Sequence, residues 1–192
     1  MRKQNKELLL LGALSVLIVA LLMLSSTIKP YGYFIDELYF IACAKRPAWG
    51  YIDQPPLSIV LLTLVQKLFG DNMLAVRFLP ALSIAATMFV TGLIARQLGG
   101  SLRSMLLSSL AVMVMPVLMV FGSFYSMNAY EPLLFTTIAF FLVKMLQQQN
   151  ARYWLMVGIL FGLGLQMKHT MVLYGLALVI GLLCTPQRKL LW

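Results

Sequence analysis

Six carboxylates are the scarcest chemical resource in this chain: Glu7, Asp36, Glu37, Asp53, Asp71 and Glu131. Three of them crowd into one segment from Lys29 to Gln54. It contains Tyr31-Gly32-Tyr33-Phe34-Ile35-Asp36-Glu37-Leu38-Tyr39 and later Gly50-Tyr51-Ile52-Asp53-Gln54-Pro55-Pro56-Leu57. Adjacent acids among aromatic and aliphatic residues should have raised pKa values, because an apolar setting disfavours the charged form. A carboxylate so tuned suits a general base. On a helix, neighbours point about 100° apart, so Asp36 and Glu37 cannot share one task. The plain alternative is that Asp36 caps the following helix and Glu37 pairs with Lys45 or Arg46. Glu131 precedes Pro132, which suits a helix start, and so sits at a positive helix end. Lys168 and His169 could meet an anion, or Lys168 could snorkel to lipid headgroups. His and Cys show no metal-site spacing, and no phosphate-cradling glycine loop appears.

These groups must be positioned by elements whose composition is extreme. Of 192 residues, 61% are apolar and 11% are charged, against about 45–50% and about 25% in soluble domains. A soluble fold of this size leaves too much of its chain facing water to hide that apolar surface. Soluble, secreted, disordered and DNA-binding classes are excluded, and an all-α polytopic membrane protein is left. The net charge of +9 comes from basic residues spaced between apolar runs, which marks cytoplasmic loops rather than nucleic-acid binding. Membrane lipid is the expected partner.

A crossing needs about 20 apolar residues. Leu8–Ile28, Met73–Ala95, Ser104–Gly122, Pro132–Met145, Tyr153–Met167 and Thr170–Thr185 read as six transmembrane helices. Leu57–Phe69, between Pro55-Pro56 and Gly70, would reach only about 20 Å and reads as a short surface helix in the first outer loop. With that helix on the surface, nine of the 15 basic residues lie inside, and all acids but Glu7 lie outside. If it crossed, the count would reverse, against the positive-inside rule. Cys43 and Cys184 then lie near opposite faces, cannot bridge, and read as packing residues. Gly158, Gly162 and Gly164 read as sites of close helix packing.

Asp36-Glu37, the Gly50-Tyr51-Ile52-Asp53-Gln54-Pro55-Pro56-Leu57 run, Glu131 opening a later helix and Lys168-His169-Thr170 occur in this order. In combination the chain resembles the N-terminal part of the GT-C superfamily of membrane glycosyltransferases. The nearer likeness is to the bacterial branch similar to dolichyl-phosphate-mannose protein mannosyltransferases and lipid A aminoarabinose transferases. Gln54 departs from the His or Lys usual there, and such enzymes are usually several hundred residues long. The resemblance implies that residues 1–192 form the N-terminal transmembrane part of a glycosyltransferase domain, in a bacterial inner membrane with its site facing outward.

It also implies a polyprenyl-phosphate-linked sugar donor and an inverting displacement, with no nucleic acid involved. In these terms Asp36 is the base and Glu37 orients the acceptor. Tyr51, Asp53, Gln54, Glu131, Lys168 and His169 bind substrate, with Lys168 on the phosphate. No cofactor is required, although a divalent metal held by Asp53 or Glu131 is compatible. A second polypeptide could supply a C-terminal half. Two other classes fit the composition: a small transporter or flippase-like subunit, and a non-catalytic membrane fragment.

Overall fold

The computed structural model describes residues 2–28 and 32–191, so Lys29, Tyr31 and Trp192 of the sequence reading lie outside the described residues. The described residues form helices and connections with no strand. In chain order the α-helices are α1 (Arg2–Ile28), α2 (Ile35–Ala44), α3 (Leu57–Phe69), α4 (Met73–Gln97), α5 (Leu102–Met113), α6 (Pro116–Ser123), α7 (Glu131–Gln148), α8 (Tyr153–Met167) and α9 (Met171–Leu183). Two 3-10 turns, Met127–Ala129 and Pro186–Leu191, complete the chain. The all-α membrane class expected from composition is what the chain adopts.

Among the described residues, three segments are long and apolar enough to cross a membrane: Asn5–Ile28, Met73–Gln97 and Met127–Gln148. The run expected as one span over Ser104–Gly122 is two helices, α5 and α6, bent by 65° at the break. Pro116 causes this, since proline lacks an N–H and opens a helix far better than it continues one. With that bent pair the count reaches four. The other two expected spans are α8 and α9, of 15 and 13 residues. The segment between α1 and α4, expected to be the first outer loop, holds two helices, α2 and α3, where the sequence reading placed one surface helix.

Helix α4 is the spine, packed against α1, α5, α6 and α7. Its buried Ala81, Ala85 and Met88 meet Ile18 and Leu22 of α1. Small residues let the backbones approach: a Cβ on Gly92 would lie 2.7 Å from both Leu11 and Ser109. Gly164 behaves likewise against Met171, but Gly158 and Gly162 face open space, which corrects their reading as packing sites. Of the cysteines, both free, Cys43 is half-buried against the core, while Cys184 is exposed and packs no core.

Polar contacts mark two opposite ends of the bundle. At one end Glu7 of α1 pairs with Arg96 of α4 at 3.1 Å, and Gln97 bonds Gln147 of α7 at 2.6 Å. At the other, Arg77 of α4 pairs with Glu37 of α2 at 2.7 Å. Both ends of α3 are tied to this second end. Tyr125 donates to the Ser58 carbonyl at 2.6 Å, and Tyr33 donates to the Asp71 carbonyl at 2.9 Å.

Candidate active site

Every acid of the expected site lies at this second end, but in different chemical states. Glu37 is fully buried. Arg77 of α4 grips it with Nε at 2.9 Å and Nη2 at 2.7 Å. The Tyr125 N–H reaches Oε1 at 3.0 Å, and the Phe34 N–H reaches Oε2 at 2.9 Å. Four donors from three parts of the chain saturate this carboxylate. A bidentate, charge-assisted pair of this kind is the strongest arrangement open to two buried charges.

Two expectations are corrected here. Glu37 pairs with Arg77, not with Lys45 or Arg46. The helix start is capped by Glu37 reaching back to Phe34, not by Asp36, because the chain turns into helix at Phe34 and puts Glu37 at the third helical position. All four hydrogen bonds to the Glu37 carboxylate come from protein donors.

Asp36 is one step round the same helix. It is exposed and has no hydrogen-bond or ion-pair partner among the described residues. The 100° step that separates neighbours on a helix thus gives one acid to the core and the other to the surface. Three residues on, the Tyr39 hydroxyl donates to Asp53 Oδ1 at 2.6 Å. This bond to a carboxylate holds the Tyr39 phenol well above its ordinary pKa. It also brings Asp53, from the loop before α3, beside the helix that carries Asp36.

Tyr51 faces inward to organise that loop. Its hydroxyl accepts from the Ala48 N–H at 2.9 Å and lies 3.3 Å from the Arg46 carbonyl, to which it donates. Gln54 is buried, and neither its amide nitrogen nor its oxygen has a partner.

Glu131 and Lys168 form a second group. Lys168 Nζ is 2.9 Å from Glu131 Oε2 and 2.8 Å from Asn128 Oδ1. The Thr170 hydroxyl donates to Glu131 Oε1. An ammonium has three donors, so one remains after these two bonds. Lys168 ends α8 and Glu131 begins α7, so the break between α8 and α9 is what delivers the lysine. His169 is exposed, with its side chain outside this network. No three His, Cys, Asp or Glu side chains converge as a metal site among the described residues.

A family model described as dolichyl-phosphate-mannose-protein mannosyltransferase matches residues 53–192. The chain belongs to this family. No curated protein and no solved structure matches the chain. The match places the chain among GT-C-type membrane glycosyltransferases, as the motifs led one to expect. It begins at Asp53 and includes Gln54, Glu131, Lys168 and His169, whereas Asp36 and Glu37 precede it.

Sequence reasoning missed Arg77 and Tyr39 as site residues. Arg77 carried a signal, because it lies within the span expected at Met73–Ala95. A cation within a transmembrane segment is costly and implies a partner. Tyr39 carried a weaker one, at helical spacing from Asp36.

Proposed function

We propose that this chain transfers a sugar from a polyprenyl-phosphate donor to an acceptor hydroxyl or similar nucleophile, at the outer face of a bacterial inner membrane. The observation that carries this reading is the division of labour within Asp36-Glu37. Glu37 is locked to Arg77 and fixes α2 against α4, and the adjacent Asp36 is left free on the surface. A fixed helix with one unpartnered carboxylate is what a positioned base requires.

In the reaction, Asp36 removes the acceptor's proton as the acceptor atom attacks the anomeric carbon. The bond from that carbon to the phosphate oxygen breaks on the opposite face. Polyprenyl phosphate leaves with the electron pair, and the anomeric configuration inverts. The third Nζ donor of Lys168 is offered to the phosphate, where charge grows in the transition state. Glu131 and Asn128 hold that ammonium in place. Asp53, held by Tyr39, borders the acceptor side. Gln54 retains an unmet amide beside it.

The test supplies membranes containing the chain, and any partner polypeptide, with radiolabelled polyprenyl-phosphate sugars. Release of polyprenyl phosphate that depends on both acceptor and Asp36 supports the reading. Donor-independent movement of lipid or solute, with no cleavage of any donor, would place the chain among transporters instead.

A further inference from the structure

The start of α3 and the start of α7 meet in a region closed to solvent that still holds polar atoms. Gln54, Ser58 and Tyr130 are 2%, 0% and 6% exposed. Among the described residues, both amide atoms of Gln54, the Ser58 Oγ and the Tyr130 hydroxyl are buried and make no hydrogen bond. One such group left unmet shifts the folding equilibrium about fivefold or more toward the unfolded chain. Native folds therefore meet nearly all of them, with protein or with ordered water.

Tyr125 brings these groups together. Its hydroxyl donates to the Ser58 carbonyl at 2.6 Å, and its ring packs edge-on against that of Tyr130, with centroids 6.0 Å apart. The Tyr130 hydroxyl lies close to that of Tyr125 without bonding it. Gln54 stands four residues ahead of Ser58, and its carbonyl accepts from the Tyr51 N–H at 3.2 Å. The local backbone explains why Ser58 is unmet. Other buried helix hydroxyls turn back on the carbonyl four residues earlier, as Ser26, Thr87 and Ser109 do. Ser58 is in the first turn of α3, so that carbonyl is the one of Gln54, ahead of the helix and taken by Tyr51.

The chemistry of these atoms selects their ligand. An amide offers donors and an acceptor, and each hydroxyl can both donate and accept. All three side chains are neutral. The surrounding cluster includes Phe40, Ile59, Leu62, Ala129 and Met167, so an ion would be buried there without a countercharge. Glu131, the next residue along, is already held by Lys168 and Thr170. The ligand must be neutral, able to donate and accept, and small enough to be enclosed. Water meets all three demands and takes about 2–4 polar partners when buried.

We propose that this is an internal water site, in which water bridges the Ser58 Oγ, the Tyr130 hydroxyl and the Gln54 amide. It joins the start of α3 to Tyr130, the residue from which α7 begins. The site stands whether or not Asp36 is the base, because its readouts are labelling and stability and not turnover.

The test exposes the full chain in lipid nanodiscs to X-rays, with a radical scavenger in the bulk solvent. Hydroxyl radicals then form from bound water and oxidise the side chain beside it. Tyr130 should gain oxygen faster than Met145, which is fully buried among Ile138, Leu142 and Val157, although methionine is intrinsically the more reactive. Ser58→Ala should abolish that excess. In denaturant titrations, Ser58→Ala and Tyr130→Phe should each lower the folded-to-unfolded ratio by about fivefold or more. Their combination should cost less than the product of the two, because the same water is lost once. Labelling of Tyr130 no faster than that of Met145 would overturn the proposal. So would a raised folded-to-unfolded ratio in either single variant, since deleting a polar atom that nothing meets would relieve the fold.

Discussion

Replacing Arg77 by methionine should be among the most damaging single changes at the site end. Arg77 is 9% exposed and its partner Glu37 is fully buried. Removing the guanidinium leaves a carboxylate with two backbone donors, Phe34 and Tyr125, and no countercharge. Breaking a buried pair this way costs about 3–5 kcal/mol. Glu37→Gln added to Arg77→Met removes the uncompensated charge and keeps one oxygen for a backbone N–H. The double variant then carries mainly an incompletely satisfied backbone group, at about 1–3 kcal/mol. The double variant should therefore be more stable than Arg77→Met alone. The assay is a denaturant titration of the purified chain in mixed micelles, run over the full double-mutant cycle. Additivity of the two changes within about 0.5 kcal/mol, as for independent sites, would refute the argument that Glu37 is held by this pair.

Other outcomes follow from single contacts. Asp53→Asn should move the Tyr39 phenol titration down toward its ordinary range, followed by ultraviolet absorbance. The raised phenol contributes stability below the unfolded pKa of about 10 and loses it as pH rises through the folded value, so neutral pH leaves this bond intact. Gly92→Ala should destabilise by about 1–3 kcal/mol because its Cβ would meet Leu11 and Ser109, whereas Gly158→Ala should be near neutral, both read from unfolding midpoints. With Cys43 and Cys184 replaced, Asp71→Cys should react with an impermeant thiol reagent in intact cells and Leu98→Cys should not; the reverse would invert the orientation.

The parts of the fold that sequence revealed are those written in long-range composition. The bounds of α3 and α8 could be read from Pro56, Gly70 and the apolar runs, because proline and glycine act locally. The break at Val114-Met115 was masked by an unbroken apolar run, in which Pro116 reads as a mid-span residue. The site was legible as motifs but not as bonds. Asp36 and Glu37 are chemically near-identical in sequence, and only the docking of α2 on α4 separates them. Arg77 lies 40 residues from Glu37, a separation no local pattern encodes. The convergence of Asn128, Glu131 and Lys168 depends equally on how α7 packs beside α8.

The central claim is that Asp36 is the base while Glu37 is the anchor beside it. The direct measurement is steady-state and single-turnover kinetics of Asp36→Asn with a polyprenyl-phosphate sugar donor and its acceptor, with donor affinity measured in parallel. Asparagine keeps the shape and removes the proton acceptor, so turnover should fall by roughly 10²–10⁴ with donor binding and unfolding midpoint unchanged. Turnover close to that of the unaltered chain, in a variant that folds and binds donor normally, would contradict the account and move the base to another carboxylate, with Glu131 first in line.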